Sequence, residues 1–435
     1  MGIKFVDLFA GIGGIRLGFE NAMRQLGINT ECVLSSEIDK KACETYELNF
    51  SEVPAGDIYE ISEITDDFDF LLAGFPCQSF SYAGKKRGFG DTRGTLFFEI
   101  ERLLKKHKPR GFLLENVRGL VSHDKGRTLT TIIEKLETLG YKVDYMLLNS
   151  SNFGVPQNRV RIYIIGLLGK EPLHEIQSDT GSSDSHNYKT KQLSMFDSEL
   201  KYPKVQDILE SDSNITDEYT CTDEFTNMLS KVVGNNYNKL HGVRLIDYRG
   251  GNSIHSWELG LKGDCTQKEI QFMNALIANR RKKIFGTHQD GKMLTLKQIK
   301  TFFDNPELEE IISSLIKKGY LKEVDGKYNP VAGNMSFEVF KFLDPDSISI
   351  TLTSSDCHRL GIVQNNMPRR ITPRECARLQ GFPDNFICHP NDISAYKQFG
   401  NTVSVPVVEK VILDLFENNS KYFSSNIEEE QVVQY

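Results

Sequence analysis

The 435-residue sequence lacks the features of several specialised protein classes. No apolar run reaches the roughly 18 residues that span a bilayer, and the longest candidates, residues 68–75 and 160–169, have the length of strands. The N-terminus has no charged segment followed by a long apolar stretch, so we expect no secretory signal. We therefore expect no membrane among the partners of this chain.

Cysteine pairs and phosphate-binding signatures are also missing. The eight cysteines contain no CxxC pair, so we expect neither a disulfide framework nor a zinc site, and reduced thiols fit a cytoplasmic location. The GxxxxGKS or GxxxxGKT pattern of NTPases does not occur. No metal is expected in the functional site.

Basic residues are too few for a wholly electrostatic DNA binder. The 52 basic and 59 acidic residues give a net charge of −7, so any contact with nucleic acid must come from a local basic face. The length suggests two or three domains with a substantial core. A local excess of positive charge does occur at residues 267–300, with eight Lys and Arg against two acids.

The first third of the chain alternates between strand-like and helical patterns. This alternation predicts a parallel sheet covered by helices on both faces. Residues 177–198 are polar and lack a helical or strand period, which indicates a linker or loop. Residues 294–303 and 306–321 have helical spacing and precede a short β-turn at 322–330, which together resemble a helix–turn–helix with a small wing. The predicted strands are 3–9, 31–37, 68–74, 111–115, 141–148 and 159–167.

A glycine-rich turn follows the first predicted strand. Residues 7–14 (DLFAGIGG) open a helix, so the backbone can approach a ligand closely and offers it free N–H groups. Glu37 ends the next strand, where a carboxylate can accept both hydroxyls of a ribose, and Asp57 follows near a position for an adenine. The departure from GxGxxG favours a nucleoside with a positively charged tail over a pyrophosphate. A tight turn flanked by surface acids is the alternative.

Reactive side chains lie at the ends of three further predicted strands, two at carboxyl ends and one at a strand start. Cys77 lies at the carboxyl end of an apolar strand, where its thiolate would be a nucleophile once nearby N–H groups or cations activate it. Glu115 ends another strand and can exchange protons with a ligand in the same crevice. Arg159 and Arg161 share one face at a strand start and suit a phosphate or a carboxylate. The alternatives are a buried inert cysteine and surface charges at a strand edge.

These motifs, in this order, resemble those of the cytosine-C5 DNA methyltransferases of bacterial restriction–modification systems. The matching segments cover roughly half of the chain: residues 7–14, 74–81 (GFPCQSFS), 91–100 (DTRGTLFFEI), 115–117 (ENV), 157–166 (QNRVRIYIIG), 369–384 and 398–408 (QFGNTVSVPVV). The resemblance implies an α/β fold with a Rossmann-like, S-adenosylmethionine-dependent methyltransferase sheet and a second, smaller target-recognition domain. It places the catalytic domain at 1–168, the target-recognition domain at 169–364 with a flexible linker at 177–198, and a segment returning to the catalytic domain at 365–435.

The implied activity is methyl transfer from S-adenosylmethionine to C5 of a cytosine within a specific short double-stranded DNA sequence. The cytosine would flip out of the duplex and form a covalent bond from its C6 to Cys77. We expect a monomer and a cognate restriction endonuclease that shares the target, as a functional and not necessarily a physical partner. A transfer-RNA cytosine-C5 methyltransferase and a binding module that has lost catalysis are the alternatives.

The resemblance also assigns roles residue by residue. Cys77 would be the nucleophile, Glu115 would hold the cytosine edge, and Arg159 and Arg161 would support the flipped nucleotide and its phosphate. The cofactor would be bound by Phe9, Ala10, Gly11, Ile12, Gly13, Gly14, Glu37, Ile38, Asp57, Ile58 and Asn401.

DNA contacts are expected from the variable region. Arginine can pair with guanine and asparagine with adenine in the major groove, whereas lysine more often meets phosphate. Residues 249–252 (RGGN) could equally form a structural loop, and the helix–turn–helix-like segment could enter a groove or pack as a helix pair. Our candidates for DNA contact are Gln78, Ser81, Arg244, Arg249, Asn252, Arg280 and Arg281.

Overall fold

A computed structural model of the protein describes residues 2–76, 96–179, 203–287 and 292–424. The chain divides into two compact units. Unit 1 comprises Met1–Ile208, Ile348–Cys357 and Pro373–Tyr435, and unit 2 comprises Leu209–Ser347 and His358–Thr372. The chain therefore passes from one unit to the other four times, after residues 208, 347, 357 and 372. The predicted limits at residues 168 and 364 divide the chain by function, whereas these two units are defined by how compactly the chain packs. The predicted limits therefore stay predictions. Of the predicted linker, only residues 177–179 are described.

Unit 1 is built on a six-stranded sheet. Its strands are β1 (Gly2–Leu8), β2 (Asn29–Ser36), β3 (Phe70–Gly74), β4 (Gly111–Val117), β5 (Tyr141–Asn149) and β6 (Val160–Leu168). Their spatial order is β2-β1-β3-β4-β6-β5; the first four are parallel, and β6 runs antiparallel to both neighbours. The prediction of a parallel sheet is correct for β1 to β4 and wrong at β6. Residues 150–159 join β5 to β6, and they are too few for the crossover that a parallel pair needs.

Helices cover both faces of this sheet. The first five are α1 (Gly14–Gln25), α2 (Lys40–Phe50), α3 (Leu96–His107), α4 (Gly119–Ser122) and α5 (Arg127–Thr138). Adjacent residues of β1 point to opposite faces, so Phe5 belongs to one hydrophobic cluster and Val6 to the other. The cluster around Phe5 includes residues of α1, and the cluster around Val6 includes residues of α3 and α5. The alternation of strands and helices predicted for this region is confirmed.

Unit 2 contains a five-stranded sheet of short strands. The part of unit 2 that contains this sheet also has two helices, α6 (Asp223–Val233) and α7 (Ser256–Leu259). The sheet has the order β14-β13-β12-β7-β8, with β7 (Arg244–Leu245), β8 (Ser253–Ile254), β12 (Lys341–Phe342), β13 (Leu360–Gln364) and β14 (Met367–Arg370). A hydrophobic cluster that includes Phe225, Leu240 and Phe342 holds this part together.

A second hydrophobic cluster in unit 2 supports the predicted helix–turn–helix with a wing. This winged-helix module contains α8 (Gln267–Asn279), β9 (Leu294–Thr295), α9 (Leu296–Lys300), α10 (Leu308–Lys318), β10 (Leu321–Val324) and β11 (Lys327–Pro330). Its three strands pair in the order β10-β11-β9. Asp325 and Gly326 both have positive φ, as a tight two-residue hairpin turn requires. The predicted helix, turn, helix and hairpin are present, but Leu294–Thr295, which were predicted to be helical, form strand β9.

The chain then returns to unit 1 with four helices: α11 (Pro373–Leu379), α12 (Asp392–Asn401), α13 (Val405–Asn418) and α14 (Ser420–Ser424). Helix α13 packs against α1 so closely that a Cβ at Gly18 would lie 2.7 Å from Val408 Cβ. Residues such as Val408 and Phe416 complete the cluster around Phe5. None of the helices in the described part of the chain is long and apolar enough to cross a bilayer.

Candidate active site

A cavity of about 920 Å³ opens at the carboxyl ends of β1, β3 and β4. Strand β1 lies between β2 and β3, so the chain leaves β1 toward one side of the sheet and continues from β3 on the other side. Open α/β sheets bind ligands where connections diverge in this way. The volume falls within the range of small-molecule sites.

The glycine-rich turn forms one wall of this cavity. Phe9 has a φ of 55°, a left-handed conformation that costs energy in a residue with a side chain, and such strain often marks functional sites. Gly11 also has a positive φ, and a Cβ built on it would meet no atom within 4 Å. The backbone of Gly11 is therefore open to a ligand. Gly13 differs, since its Cβ would lie 2.1 Å from Phe50 Cε2; this glycine serves close packing.

Glu37 is fixed in place at the end of β2. Its Oε2 accepts a hydrogen bond from Gly11 N at 2.8 Å, and its Oε1 accepts from the backbone N–H groups of Ile38 and Asp39 at 2.8 Å each. A carboxylate can accept about four hydrogen bonds, so Glu37 retains capacity for a hydroxyl group. Ile38, next to it, is 70% exposed and presents an apolar side chain to the cavity.

Charged side chains from the N-cap of α2 and from α12 close another wall. Lys397 Nζ donates to Asp39 Oδ2 at 2.8 Å, and this hydrogen bond holds the pKa of the Asp39 carboxyl below its usual range. Asp57 accepts from Tyr59 N at 3.1 Å and starts a short 3-10 turn. Asn401 lies at the end of α12 and lines the cavity.

Glu115 and Arg161 form a buried ion pair that lines the cavity. Arg161 Nε lies 3.1 Å from Glu115 Oε1, and the two side chains are only 15% and 11% exposed. Burial raises the pKa of Glu115 above its usual value, although Arg161 and Arg159 oppose that shift. Glu115 is therefore a carboxyl group that takes up a proton more readily than an ordinary glutamate, which suits proton exchange with a ligand.

Arg159 is buried and contacts backbone rather than a carboxylate. Its Nη1 donates to Leu352 O at 2.9 Å and its Nη2 donates to Thr402 O. Burial, followed by the charge of Arg161, lowers the pKa of Arg159 to about 9. Arg159 therefore joins the start of β6 to the loop that follows Asn401.

The approach to Cys77 is held by an asparagine that the sequence analysis did not single out. Asn116 Nδ2 donates to Phe75 O at 2.8 Å and is buried. This bond fixes the backbone that leaves β3, and Pro76 lines the cavity. Cys77, Gln78 and Ser81 lie outside the described residues.

The cavity brings most of the other predicted site residues together. Gly13 is the exception among the described cofactor candidates, because it does not line the cavity. The predicted residues that do line it are Phe9, Ala10, Gly11, Ile12, Gly14, Glu37, Ile38, Asp57, Ile58, Glu115, Arg159, Arg161 and Asn401. Lining residues that the sequence did not reveal include Ser36, Asp39, Tyr59 and Lys397.

Gln157 is a further residue near the site that the sequence did not identify individually. It is fully buried, and its Nε2 donates to Leu379 O at 2.8 Å and to Gln380 Oε1 at 3.1 Å. Its Oε1 accepts from Leu352 N at 2.9 Å. The sequence signal was its place in the motif at 157–166, directly before the arginine pair.

The predicted DNA contacts in unit 2 differ in exposure. Arg249 and Arg281 are exposed, and Asn252 is exposed with its Nδ2 donating to His241 O at 3.2 Å. Arg280 is 8% exposed, and its Nη2 donates to Asn329 Oδ1 at 2.8 Å, so its burial counts against a direct contact with bases.

Arg244 is half-buried and pairs across the sheet with a lysine. Arg244 in β7 is the register partner of Lys341 in β12. Burial and the charge of Arg244 lower the pKa of Lys341 to about 8. These two cationic residues therefore face each other on neighbouring strands.

Comparison with known proteins identifies the family to which this site belongs. The model of the C-5 cytosine-specific DNA methylase family matches residues 3–417. The chain belongs to this family. A C-5 cytosine-specific DNA methylase transfers a methyl group to C5 of cytosine in DNA, so the predictions of family, enzyme class and fold are confirmed.

Relatives of this methylase match along almost their whole length. The chain is 71% identical over 419 residues to the Type II methyltransferase M.BanI of Aneurinibacillus aneurinilyticus, covering 96% of this chain and 97% of that protein. It is 65% identical to the Type II methyltransferase M.HgiCI of Herpetosiphon aurantiacus, covering 96% and 98%. Among solved structures, the Dnmt2 methyltransferase of S. pombe has a TM-score of 0.54 at 16% identity and covers 96% of this chain and 99% of that chain, which supports the fold.

Proposed function

We propose that this DNA methylase uses S-adenosylmethionine to methylate one cytosine within a specific short double-stranded DNA sequence, through a transient bond from Cys77 to C6 of a flipped base. The observation that carries this proposal is the buried Glu115–Arg161 pair in the same cavity as the fixed carboxylate of Glu37. One end of the cavity suits a nucleoside, and the other suits proton exchange with a base.

The residues of the cavity fit S-adenosylmethionine. The open backbone at Gly11 leaves room where a Cβ would otherwise lie, the Glu37 carboxylate can accept a ribose hydroxyl, and Ile38 can pack against an adenine. Asp57, Ile58 and Asn401 complete the proposed set together with the remaining residues of the 9–14 turn. When bound, this cofactor supplies an electrophilic methyl group on a positively charged sulfur.

Cys77 supplies the nucleophile in this proposal. Its thiolate adds to C6 of cytosine, and the electron pair of the C5–C6 double bond makes C5 nucleophilic enough to accept the methyl group. A base then removes the C5 proton, the C5–C6 double bond re-forms, and the thiolate leaves. The bond from Asn116 to Phe75 O supports this role, because it fixes the chain two residues before Cys77.

Glu115 and the two arginines manage charge and position. The carboxyl group of Glu115 gives a proton to cytosine N3 as the thiolate adds and takes it back as the thiolate leaves, which its raised pKa favours. Arg161 orients Glu115 and can meet the flipped nucleotide. Arg159 donates side-chain hydrogen bonds to two backbone carbonyl groups, so its contribution is to hold the Thr402 and Leu352 backbones that border the site.

The cytosine must leave the duplex because C6 is not accessible within the base stack, at a cost of a few kcal/mol. The family description names DNA as the substrate, so the transfer-RNA alternative is not favoured. Arg244, Arg249, Asn252 and Arg281 remain our candidates for DNA contact in unit 2, with Gln78 and Ser81 near the nucleophile.

The experiment that tests the mechanism replaces the nucleophile. Cys77→Ala and Cys77→Ser should reduce methyl transfer to background, and Cys265→Ala, at a half-buried cysteine of unit 2, serves as the matched control. DNA that carries 5-fluorocytosine should trap the unaltered protein covalently, because fluorine at C5 blocks the release step. Full activity of Cys77→Ala, or recovery of only non-covalent complexes under turnover, would contradict the proposed adduct.

The names of the relatives as Type II methyltransferases support a role beside a restriction endonuclease of the same specificity. Bisulfite sequencing of DNA from cells that express the protein should reveal one short methylated motif. A purified nuclease from the same genomic locus should then cut unmethylated but not methylated copies of that motif. Gel filtration tests the predicted monomer.

A further inference from the structure

The winged-helix module carries a basic segment directly after α8. Lys282 N donates to Asn279 O at 2.9 Å, and Gly286 N donates to Lys283 O at 3.0 Å. Lys292 Nζ donates to the carbonyl groups of Arg281 and Lys282 at 3.2 Å each. We call residues 280–287 the basic loop; these bonds give it a defined shape.

The two apolar residues of the basic loop point in opposite directions. Phe285 packs into the hydrophobic cluster of the module, with its ring centroid 6.0 Å from that of Phe302. Ile284, the preceding residue, is 83% exposed, more than any other large apolar side chain in the described part of the protein. The inward phenylalanine anchors the loop, and the isoleucine projects from it into solvent.

Three cationic residues directly precede this isoleucine in the chain. Arg281, Lys282 and Lys283 are exposed, and no acidic side chain forms an ion pair with them within the described residues. An exposed aliphatic side chain among unpaired cations is complementary to duplex DNA, where the cations neutralise phosphates and the apolar group enters a groove.

The second helix of the helix–turn–helix has the opposite character. The exposed residues at the start of α10 include Glu309 and Glu310, and Glu307 just before the helix pairs with Lys268 at 2.6 Å. Insertion of this end into a groove would bring carboxylates toward phosphates. The charge distribution therefore favours the basic loop over the start of α10 as the DNA-facing part of the module.

We propose that the basic loop is a DNA-contacting surface of the enzyme, in which Arg281, Lys282 and Lys283 meet phosphates and Ile284 enters a groove. This inference rests on the proposed DNA substrate and adds to it the element and the side chain that make the contact. The buried Arg280 has a supporting role, since its bond to Asn329 holds the base of the loop against β11.

The test measures binding of the full-length protein to a fluorescein-labelled mixed-sequence DNA duplex over a range of salt concentrations. For K282Q/K283Q, the slope of log affinity against log salt should become shallower by about 2, since each lost phosphate contact removes about 0.9. K105Q/K106Q, the same charge change at the end of α3, should leave the slope unchanged. Those two lysines lie at the end of the helix that leads into the amino end of β4, away from the cavity.

Ile284→Ser should weaken binding about tenfold, the lower end of what burial of a large aliphatic side chain contributes, and Ile284→Leu should restore it. Ile393→Ser, at a 76% exposed isoleucine of unit 1, is the matched control. An unchanged slope in K282Q/K283Q, or equal affinity in Ile284→Ser and the unaltered protein, would overturn the inference. The inference would also be overturned if Ile284→Ser lost self-association or binding to another protein but kept its DNA affinity. Methyl transfer by the unaltered chain tests the proposed function separately, so the two failures can be told apart.

Discussion

Arg161 Nε lies 3.1 Å from Glu115 Oε1 across the antiparallel pair of β4 and β6. The reversed direction of β6 permits this contact, because it brings the start of β6 beside the carboxyl end of β4. The guanidinium group therefore enters the ligand-binding edge of the sheet from a strand start. A wholly parallel sheet would place that residue at the opposite edge.

Glu115→Gln should lower kcat for methyl transfer by about 10²- to 10⁴-fold, the usual contribution of a positioned general acid–base. The amide keeps the size of the side chain but cannot deliver a proton to cytosine N3. Binding of DNA and of S-adenosylmethionine should persist. Glu99→Gln is the matched control, since Glu99 also pairs with an arginine, Arg102, at 2.7 Å but lies on α3 outside the cavity. Equal activity of the two variants would remove Glu115 from the mechanism.

Arg159→Lys should lower both the unfolding free energy and the affinity for S-adenosylmethionine. One ammonium group cannot serve Leu352 O and Thr402 O together, and an unsatisfied buried carbonyl costs about 1–3 kcal/mol. Arg110→Lys is the control, because Arg110 donates to Phe423 O at 3.0 Å and does not line the cavity. It should reduce stability without affecting cofactor binding. Urea denaturation and titration calorimetry measure the two effects, and a cofactor affinity that is equal in both variants would contradict the role of Arg159.

Gly11→Ala should weaken binding of S-adenosylmethionine, whereas Gly27→Ala should not. Both glycines have positive φ, and at neither would a Cβ meet an atom within 4 Å, so each substitution costs a similar strain of about 1–2 kcal/mol. The new methyl group enters the cavity only at Gly11. Calorimetric titration with S-adenosylmethionine, under conditions in which both variants are fully folded, separates the loss of binding from the loss of stability. Similar cofactor affinities for the two variants would show that the 9–14 turn is not the cofactor wall.

Asp7→Asn should change how stability depends on pH. Asp7 is fully buried, its Oδ1 has no hydrogen-bond partner in the described structure, and burial raises its pKa from 3.8 to about 7. Because the folded pKa lies above the unfolded one, the folded protein holds a proton that the unfolded chain releases. The free energy of unfolding of the unaltered protein should therefore fall as pH rises from about 4 to 7, by up to about 4 kcal/mol. Above that range the contribution of Asp7 no longer changes with pH.

The stability of Asp7→Asn relative to the unaltered protein should thus increase between about pH 4 and pH 7 and then level off. Urea denaturation across this range measures the difference. Asp66→Asn, at an exposed position, should show no such trend. A difference between Asp7→Asn and the unaltered protein that does not vary with pH would mean that Asp7 is ionised throughout.

Local patterns in the sequence were sufficient to predict most of the secondary structure of unit 1. Strands β1 to β4 follow from apolar runs that end at turns, and the helices between them follow from helical spacing. The direction of β6 was not predicted, although the short connection at residues 150–159 carried the signal, because it leaves no room for a crossover helix. The winged-helix module was predicted from two helical segments and an Asp-Gly turn.

Contacts between distant parts of the chain could not be predicted. Arg159 and Arg161 look equivalent in the sequence, but Arg159 bonds to Leu352 and Thr402, which are 193 and 243 residues away. Likewise, nothing in the run from Arg280 to Lys283 indicates that its first residue is buried against Asn329, 49 residues later. Burial of a charged side chain depends on such partners, and a single sequence does not identify them.

The repeated passage of the chain between its two units has a consequence for engineering. A chimera that exchanges everything from residue 209 to 372 for the same span of a relative would also replace Ile348–Cys357, which belongs to unit 1. That short strap supplies the Leu352 carbonyl to Arg159 and the Leu352 N–H to Gln157. Chimeras that exchange unit 2 should therefore keep residues 348–357 of the host while replacing the residues on either side of them.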